Sequence, residues 1–155
     1  MRDGFVKVAA VTSEVRVADV AFNVDACVAA AERACTEDGA SVVVLPELAI
    51  TGYTCEDLFW QDALLDAAER GLADFASRTA ELDALLLVGV PVRVNAKLYN
   101  CCAVVTSGTI LGVVPKRHIP TYNEFYEGRH FVPGTADVVP IDVAGQLDVP
   151  FGMSQ

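Results

Sequence analysis

Positive charge is scarce in this sequence: 11 Lys and Arg stand against 21 Asp and Glu, a net charge of -10 at pH 7 with a pI near 4.4. A field of that sign repels phosphate backbones and anionic headgroups, which excludes nucleic acid and membrane surfaces as partners. Long apolar runs are missing too. None approaches the roughly 18 uninterrupted residues of a membrane span, and Met1-Arg2-Asp3-Gly4 opens no signal-like stretch. The expected location is the cytoplasm.

Histidine is down to His118 and His130, and the five cysteines (Cys27, Cys35, Cys55, Cys101, Cys102) are odd in number with no C-x-x-C spacing. That leaves neither a disulfide framework nor an expected metal site, and it suits a reducing compartment. Repeats, low-complexity tracts and linker-like stretches are also lacking, so residues 1–155 read as a single domain. Apolar content, by contrast, is ample. With 53% hydrophobic and 21% charged residues, the chain is too apolar for disorder and long enough for one core.

The rest is an alternation of strands and helices. Phe5 to Val11 is a β-branched apolar run, and from about Asn23 to Asp38 the residues Val24, Cys27, Val28, Ala31 and Cys35 recur at helical spacing, closing at Gly39. Ser41 to Leu45 reads as a strand buried on both faces, and Asp62 to Ala80 repeats the helical pattern through Leu65, Ala68, Leu72, Phe75 and Ala76. Leu85 to Val90 is a further strand, and Tyr99 to Val105 joins Ile110 to Val114 through the turn at Ser107-Gly108. Val138 to Val143 and Leu147 to Phe151 read as a last hairpin. The class is α/β.

Two segments share one design. Val42 to Leu45 meets Pro46-Glu47, and Ile110 to Val114 meets Pro115-Lys116. Proline cannot donate to the ladder, so each strand ends there and the following charge projects at the rim. Strand ends are where layered α/β folds bind ligands, so Glu47 and Lys116 suit an acid/base pair, while a structural salt bridge would use the same residues. The long segment Pro115 to Gly134 (PKRHIPTYNEFYEGRHFVPG) is rich in aromatics, charge and proline, and irregular connections of that length are usually functional. Phe125, Tyr126 and Phe131 are expected to pin it to the sheet, Arg129 to pair with a carboxylate, and the two histidines to be surface or hydrogen-bonded residues.

The residues VVVLPELAITGY (42–53), YNCCAVV (99–105) and LGVVPKRHIPTYNEFYEGRHFVPG (111–134), in this strand-helix order, resemble the nitrilase, or carbon-nitrogen hydrolase, superfamily. PELAITGYTCEDL (46–58) with PKRHIPTYNEFYEGRHF (115–131) looks most like the glutaminase domains of glutamine-dependent NAD synthetases, over about residues 5 to 152. The resemblance implies a four-layer α-β-β-α sandwich, of which this chain supplies about the N-terminal half: one sheet with its two helices and the beginning of a second. It also implies a Cys-Glu-Lys triad acting on the side-chain amide of glutamine. Glu47 would be the base, Lys116 the oxyanion cation, and Glu127 a second carboxylate orienting Lys116 and the amide. Tyr53 and Tyr122 match positions bordering the glutamine pocket.

The family's cysteine lies several tens of residues beyond the lysine, so the resemblance implies a glutaminase domain truncated before its nucleophile and inactive by itself. None of the five cysteines suits the role. Cys101 and Cys102 are strand residues, Cys27 and Cys35 share the inward helical stripe, and Cys55 neighbours Glu56 and Asp57, whose charges discourage a thiolate. A C-terminal synthetase domain is the implied partner, with ATP and Mg needed only there, and the chain itself holds no P-loop-like segment. The family's sheets also pack across subunits, so a homo-oligomer is expected. Another nitrilase-type amidase and a non-catalytic interaction module are the alternatives.

Overall fold

In the computed structural model, which describes residues 4–154, the first helix begins earlier than its apolar spacing suggests. α1 (Val20–Thr36) starts at Val20 because Asp19 caps it, its carboxylate accepting the Phe22 N–H at 3.2 Å. Val20, Val24, Cys27, Val28, Ala31 and Ala34 form its buried stripe. α2 (Asp62–Arg78) buries Leu64, Ala68, Leu72, Phe75 and Ala76 against the same core.

The strands are β1 (Val8–Ala10), β2 (Val42–Val44), β3 (Leu85–Val94), β4 (Lys97–Thr106), β5 (Thr109–Pro115), β6 (Val139–Val143) and β7 (Gln146–Phe151). Among the described residues they form one sheet in the order β1-β2-β3-β4-β5-β7-β6. β1, β2 and β3 run parallel, joined by the helices, whereas β3, β4 and β5 are antiparallel neighbours. β1 covers less than the run from Phe5 to Val11 because its partner β2 offers only three residues before Pro46. β3 and β4 run longer than expected and meet in a tight turn at Asn95-Ala96, both with positive φ (49° and 62°). β7 pairs parallel to β5 at Val113 and Phe151, with β6 outside it. The last hairpin therefore extends the first sheet, where the beginning of a second sheet was expected.

The result is one helical layer on one sheet, half of the sandwich implied by the resemblance. Alternation makes the consequence plain. Val43, Leu86, Val88, Val90, Ala103, Val105 and Val113 face the helices and are buried, whereas Val8, Val42, Val44, Leu87, Cys102, Val104 and Val114 face away and are only partly covered. Val8 is 59% and Val44 38% exposed.

An apolar sheet face of this kind predicts self-association of the isolated chain. Light scattering should give a mass above 16.5 kDa that falls on dilution. Val8→Lys with Val44→Lys, both at exposed positions, should shift the chain toward monomer without lowering its melting temperature. A monomer at all concentrations would contradict this.

Candidate active site

Proline shapes the first half of the site. The Leu45 N–H still donates to the Leu87 carbonyl (2.9 Å), but after Pro46 the chain leaves the ladder and crosses β3. Glycine at position 89 permits the crossing: a Cβ there would lie 2.8 Å from the Glu47 carbonyl carbon and closer still to Pro46 O and Leu48 N. The bend is held by Ile50 N–H to Gly89 O (3.2 Å) and Gly52 N–H to Leu48 O (2.8 Å). Buried Leu48 sits in the left-handed region (φ 50°), a strain of about 1–3 kcal/mol that close packing must hold. This bend carries Glu47 toward β4.

The second half grows from β4 and β5. Beyond Pro115, Lys116 donates its N–H to the Asn100 carbonyl (2.8 Å) and accepts from Gly134 N–H (2.9 Å), so the ladder seats Lys116 beside Asn100 and fixes the far end of the long segment. Within that segment Glu127 opens a 3-10 turn, Glu127–Arg129, and its carbonyl accepts from Phe131 N–H at 2.8 Å. Phe131 is buried edge-on against Phe59 with centroids 5.0 Å apart, a burial contributing about 1.5–3 kcal/mol.

The structure brings Glu47, Lys116, Glu127 and Tyr53 into one hydrogen-bonded cluster. Lys116 Nζ donates to Glu47 Oε1 at 2.6 Å and to Glu127 Oε1 and Oε2 at 2.8 and 3.0 Å. The Tyr53 hydroxyl donates to Glu127 Oε1 at 2.7 Å. Asn100, which sequence reasoning left as an ordinary strand residue, completes it: Nδ2 donates to Glu47 Oε1 at 2.6 Å and to Glu127 Oε2 at 3.3 Å. The sequence shows only an Asn within a run of apolar strand residues, and the structure leaves it 3% exposed. Glu127 is only 5% exposed, a burial a carboxylate tolerates when its oxygens have donors.

Burial alone would lower the Lys116 ammonium, but its hydrogen bonds to Glu127 and Glu47, together with their charges, outweigh this and hold it above the ordinary lysine value. Burial, then the bond to Glu127 and the charges of Glu127 and Glu47, push the Tyr53 phenol well above its ordinary value. Two hollows flank the cluster. One lies on the uncovered sheet face over Gly89, Asn100, Cys102 and Val114, and the other is lined by Tyr53, Phe59, Glu127, His130 and Phe131.

The other expectations meet mixed outcomes. Tyr122 stays outside the cluster: the turn closed by Phe125 N–H to Tyr122 O (3.0 Å) leaves it 63% exposed against Phe125, and it lines neither hollow. Tyr126 is 68% exposed and Phe125 half-buried, so among the three aromatics Phe131 is the one that anchors the segment. Arg129 pairs with Asp57 at 2.9 Å, both exposed. His118 is exposed, and His130 packs by Phe59 and Trp60 with a buried, unpartnered Nδ1. All five cysteines are free thiols raised by burial, and for Cys55 burial rather than Glu56 or Asp57 is the leading cause. Cys102 alone among them faces the uncovered sheet side. Among the described residues no group of three or more His, Cys, Asp and Glu could hold a metal ion, and no helix is long and apolar enough to cross a membrane.

Gly89→Ala should lower stability in a urea titration by about 1–3 kcal/mol, since the added methyl meets backbone that cannot move aside cheaply. Alkaline pH tests the cluster differently. Lys116 and Tyr53 both have folded values above their unfolded ones, so their contribution is intact below the ordinary values of 10.5 and 10.0 and is lost as pH rises through the folded values. Urea stability should fall as pH passes 10.0, and Tyr53→Phe, which cannot ionise, should flatten the first part of that fall. An unchanged slope in Tyr53→Phe would contradict the assignment.

Residues 7–153 match the family model for carbon-nitrogen hydrolases. A glutamine-dependent NAD(+) synthetase from Mycobacterium tuberculosis is 46% identical over 149 residues, which cover 96% of this chain and 22% of that protein. The crystal structure of a glutamine-dependent NAD(+) synthetase from Cytophaga hutchinsonii superposes with a TM-score of 0.87 at 27% identity, over 95% of this chain and 25% of that one. An amidase from Nesterenkonia sp. superposes with a TM-score of 0.66 at 25% identity, over 94% and 54% of the two chains. The chain thus spans about a fifth of the length of the curated relatives it matches. With the match running through the bend, the strand end and the long segment that carry Glu47, Lys116 and Glu127, this chain belongs to the carbon-nitrogen hydrolase family.

Proposed function

We propose that this chain is the N-terminal part of the glutaminase domain of a glutamine-dependent NAD synthetase. The observation that carries the proposal is the Lys116 ammonium held 2.6 to 3.0 Å from Glu47 and Glu127, in a chain 46% identical to such a synthetase along 96% of its length.

In this reading a cysteine outside residues 1–155 attacks the side-chain amide carbon of glutamine. Glu47 takes the thiol proton as the S–C bond forms, and Lys116 faces the oxygen on which negative charge develops. Glu47 then returns a proton to the departing nitrogen, the C–N bond breaks, and ammonia leaves a thioester. Water, deprotonated by Glu47, hydrolyses that thioester to glutamate and restores the thiol. Glu127 orients Lys116, and Tyr53 supports Glu127 while bordering the substrate hollow. Ammonia passes to a C-terminal domain that amidates nicotinic acid adenine dinucleotide, and ATP and Mg serve that domain. Without the thiol, Glu47 and Lys116 cannot form the acyl-enzyme, so the chain alone is inactive. Its free thiols support a cytoplasmic setting, and its uncovered sheet face supports assembly into a homo-oligomer. A different amidase of the same family is the second reading, favoured by the superposition on the Nesterenkonia protein.

The test is ammonia release from glutamine by the product of the intact reading frame. Glu47→Gln and Lys116→Met should each lower kcat by about 100- to 10,000-fold, and residues 1–155 alone should release none above background. Supplying ATP and the dinucleotide acid should consume the ammonia and form NAD. Release from simple amides but not from glutamine would favour the second reading, and no release from any amide would leave a non-catalytic interaction module.

A further inference from the structure

The two oxygens of Glu47 are not equivalent. Oε1 accepts from both Lys116 Nζ and Asn100 Nδ2 at 2.6 Å, whereas no described residue donates to Oε2. The Glu47 side chain is 44% exposed and lines the hollow on the uncovered sheet face, so Oε2 is left open to an incoming group. Asn100 itself is 3% exposed, and its second Nδ2 hydrogen points to Glu127 Oε2 at 3.3 Å. Its orientation follows from chemistry, since the opposite flip would aim the amide oxygen at two carboxylates.

We propose that Asn100 is a positioning residue for the base: with Lys116 it ties down Oε1 of Glu47 and so dedicates Oε2 to accepting the thiol proton. The inference rests on the glutaminase reading of the site. Asparagine suits the task because one planar amide offers two donors without charge. Aspartate in its place would set a third carboxylate around a single ammonium, and leucine would leave Glu47 free to turn about its last bond. An oxygen already accepting two close hydrogen bonds, one from a cation, has its lone pairs engaged and is the poorer proton acceptor of the pair.

Two measurements test this. In the intact protein, Asn100→Leu should lower kcat for glutamine hydrolysis about 10- to 100-fold with KM within about twofold, the loss expected when a hydrogen bond to a charged group is removed. In a Glu47→Gln background the same change should cost nothing further. An equal loss in both backgrounds would overturn the proposal, since Asn100 would then serve only to support buried Glu127. The second measurement keeps Asn100 and so does not depend on the variant folding. With labelled asparagine side chains in this chain, Glu47→Gln should shift one Hδ2 resonance of Asn100 and Glu127→Gln the other; no response to Glu47→Gln would mean no clamp and would also overturn it. If the unmutated intact protein releases no ammonia from glutamine, the glutaminase reading fails, and the resonance experiment still decides whether Asn100 holds Glu47.

Discussion

A single ammonium shared by two carboxylates is the constraint around which this fold is arranged. Lys116 supplies one positive charge to Glu47 and Glu127, leaving a surplus negative charge that neutral donors must manage. Tyr53 and Asn100 are those donors. Glu127 makes the arrangement obligatory: at 5% exposure its oxygens rely on Lys116 as their cationic partner, and breaking a buried pair by removing one partner typically costs about 3–5 kcal/mol. Glu47, more exposed, depends on it less. The pair thus divides into a fixed carboxylate and a freer one, which is what a site with one orienting group and one reacting group requires.

Sheet geometry works against this meeting. β2 and β5 are separated by β3 and β4, so at about 4.8 Å between neighbours their ends stand about 14 Å apart. Yet Glu47 Oε1 and Lys116 Nζ are 2.6 Å apart. Part of the gap is closed by the long side chains, and the rest by the backbone after Pro46, which crosses β3 where Gly89 has no side chain. Leu48 holds its left-handed conformation within that crossing. Asn100, on the intervening strand β4, lies beneath the meeting point, which is why a residue from the middle of an apolar strand can touch charges delivered from both sides.

The elements were largely legible because their patterns are local: the stripes of α1 and α2 and the continuous apolar runs of β3 and β4 need no knowledge of distant partners. The proline-charge pairs showed that Glu47 and Lys116 stand at strand ends, but their convergence depends on the crossing at Gly89, which no local pattern reports. Glu127 entered through family resemblance alone, since a glutamate in a polar loop carries no mark of being buried. Asn100 went unread because its surroundings, not its type, give it a role. Tyr126 was overvalued for the opposite reason: aromatic residues in a loop suggest packing, but this segment is held by Phe131 and by backbone hydrogen bonds at Gly134 and Val132. The pairing within the last hairpin was legible, but its place beside β5 rather than in a second sheet was not, because strand pairing across a long connection is a property of the whole sheet.

The occupancy of Lys116 has a further consequence under the proposed reading. Its three hydrogens face three carboxylate oxygens, so none is idle for an oxyanion in the resting site. Glu127 is the less able to release one, being buried and held by Tyr53 and Asn100 as well. Glu47 can. When it accepts a proton it loses the charge that attracts the ammonium, and its bond to Lys116 falls from a charge-assisted bond of about 1.5–3 kcal/mol toward an ordinary one of about 0.5–1.5 kcal/mol. The hydrogen released by that weakening becomes available as negative charge develops on the substrate oxygen. Proton transfer to the base and stabilisation of the oxyanion are then one event, coupled through a lysine that both carboxylates hold in place.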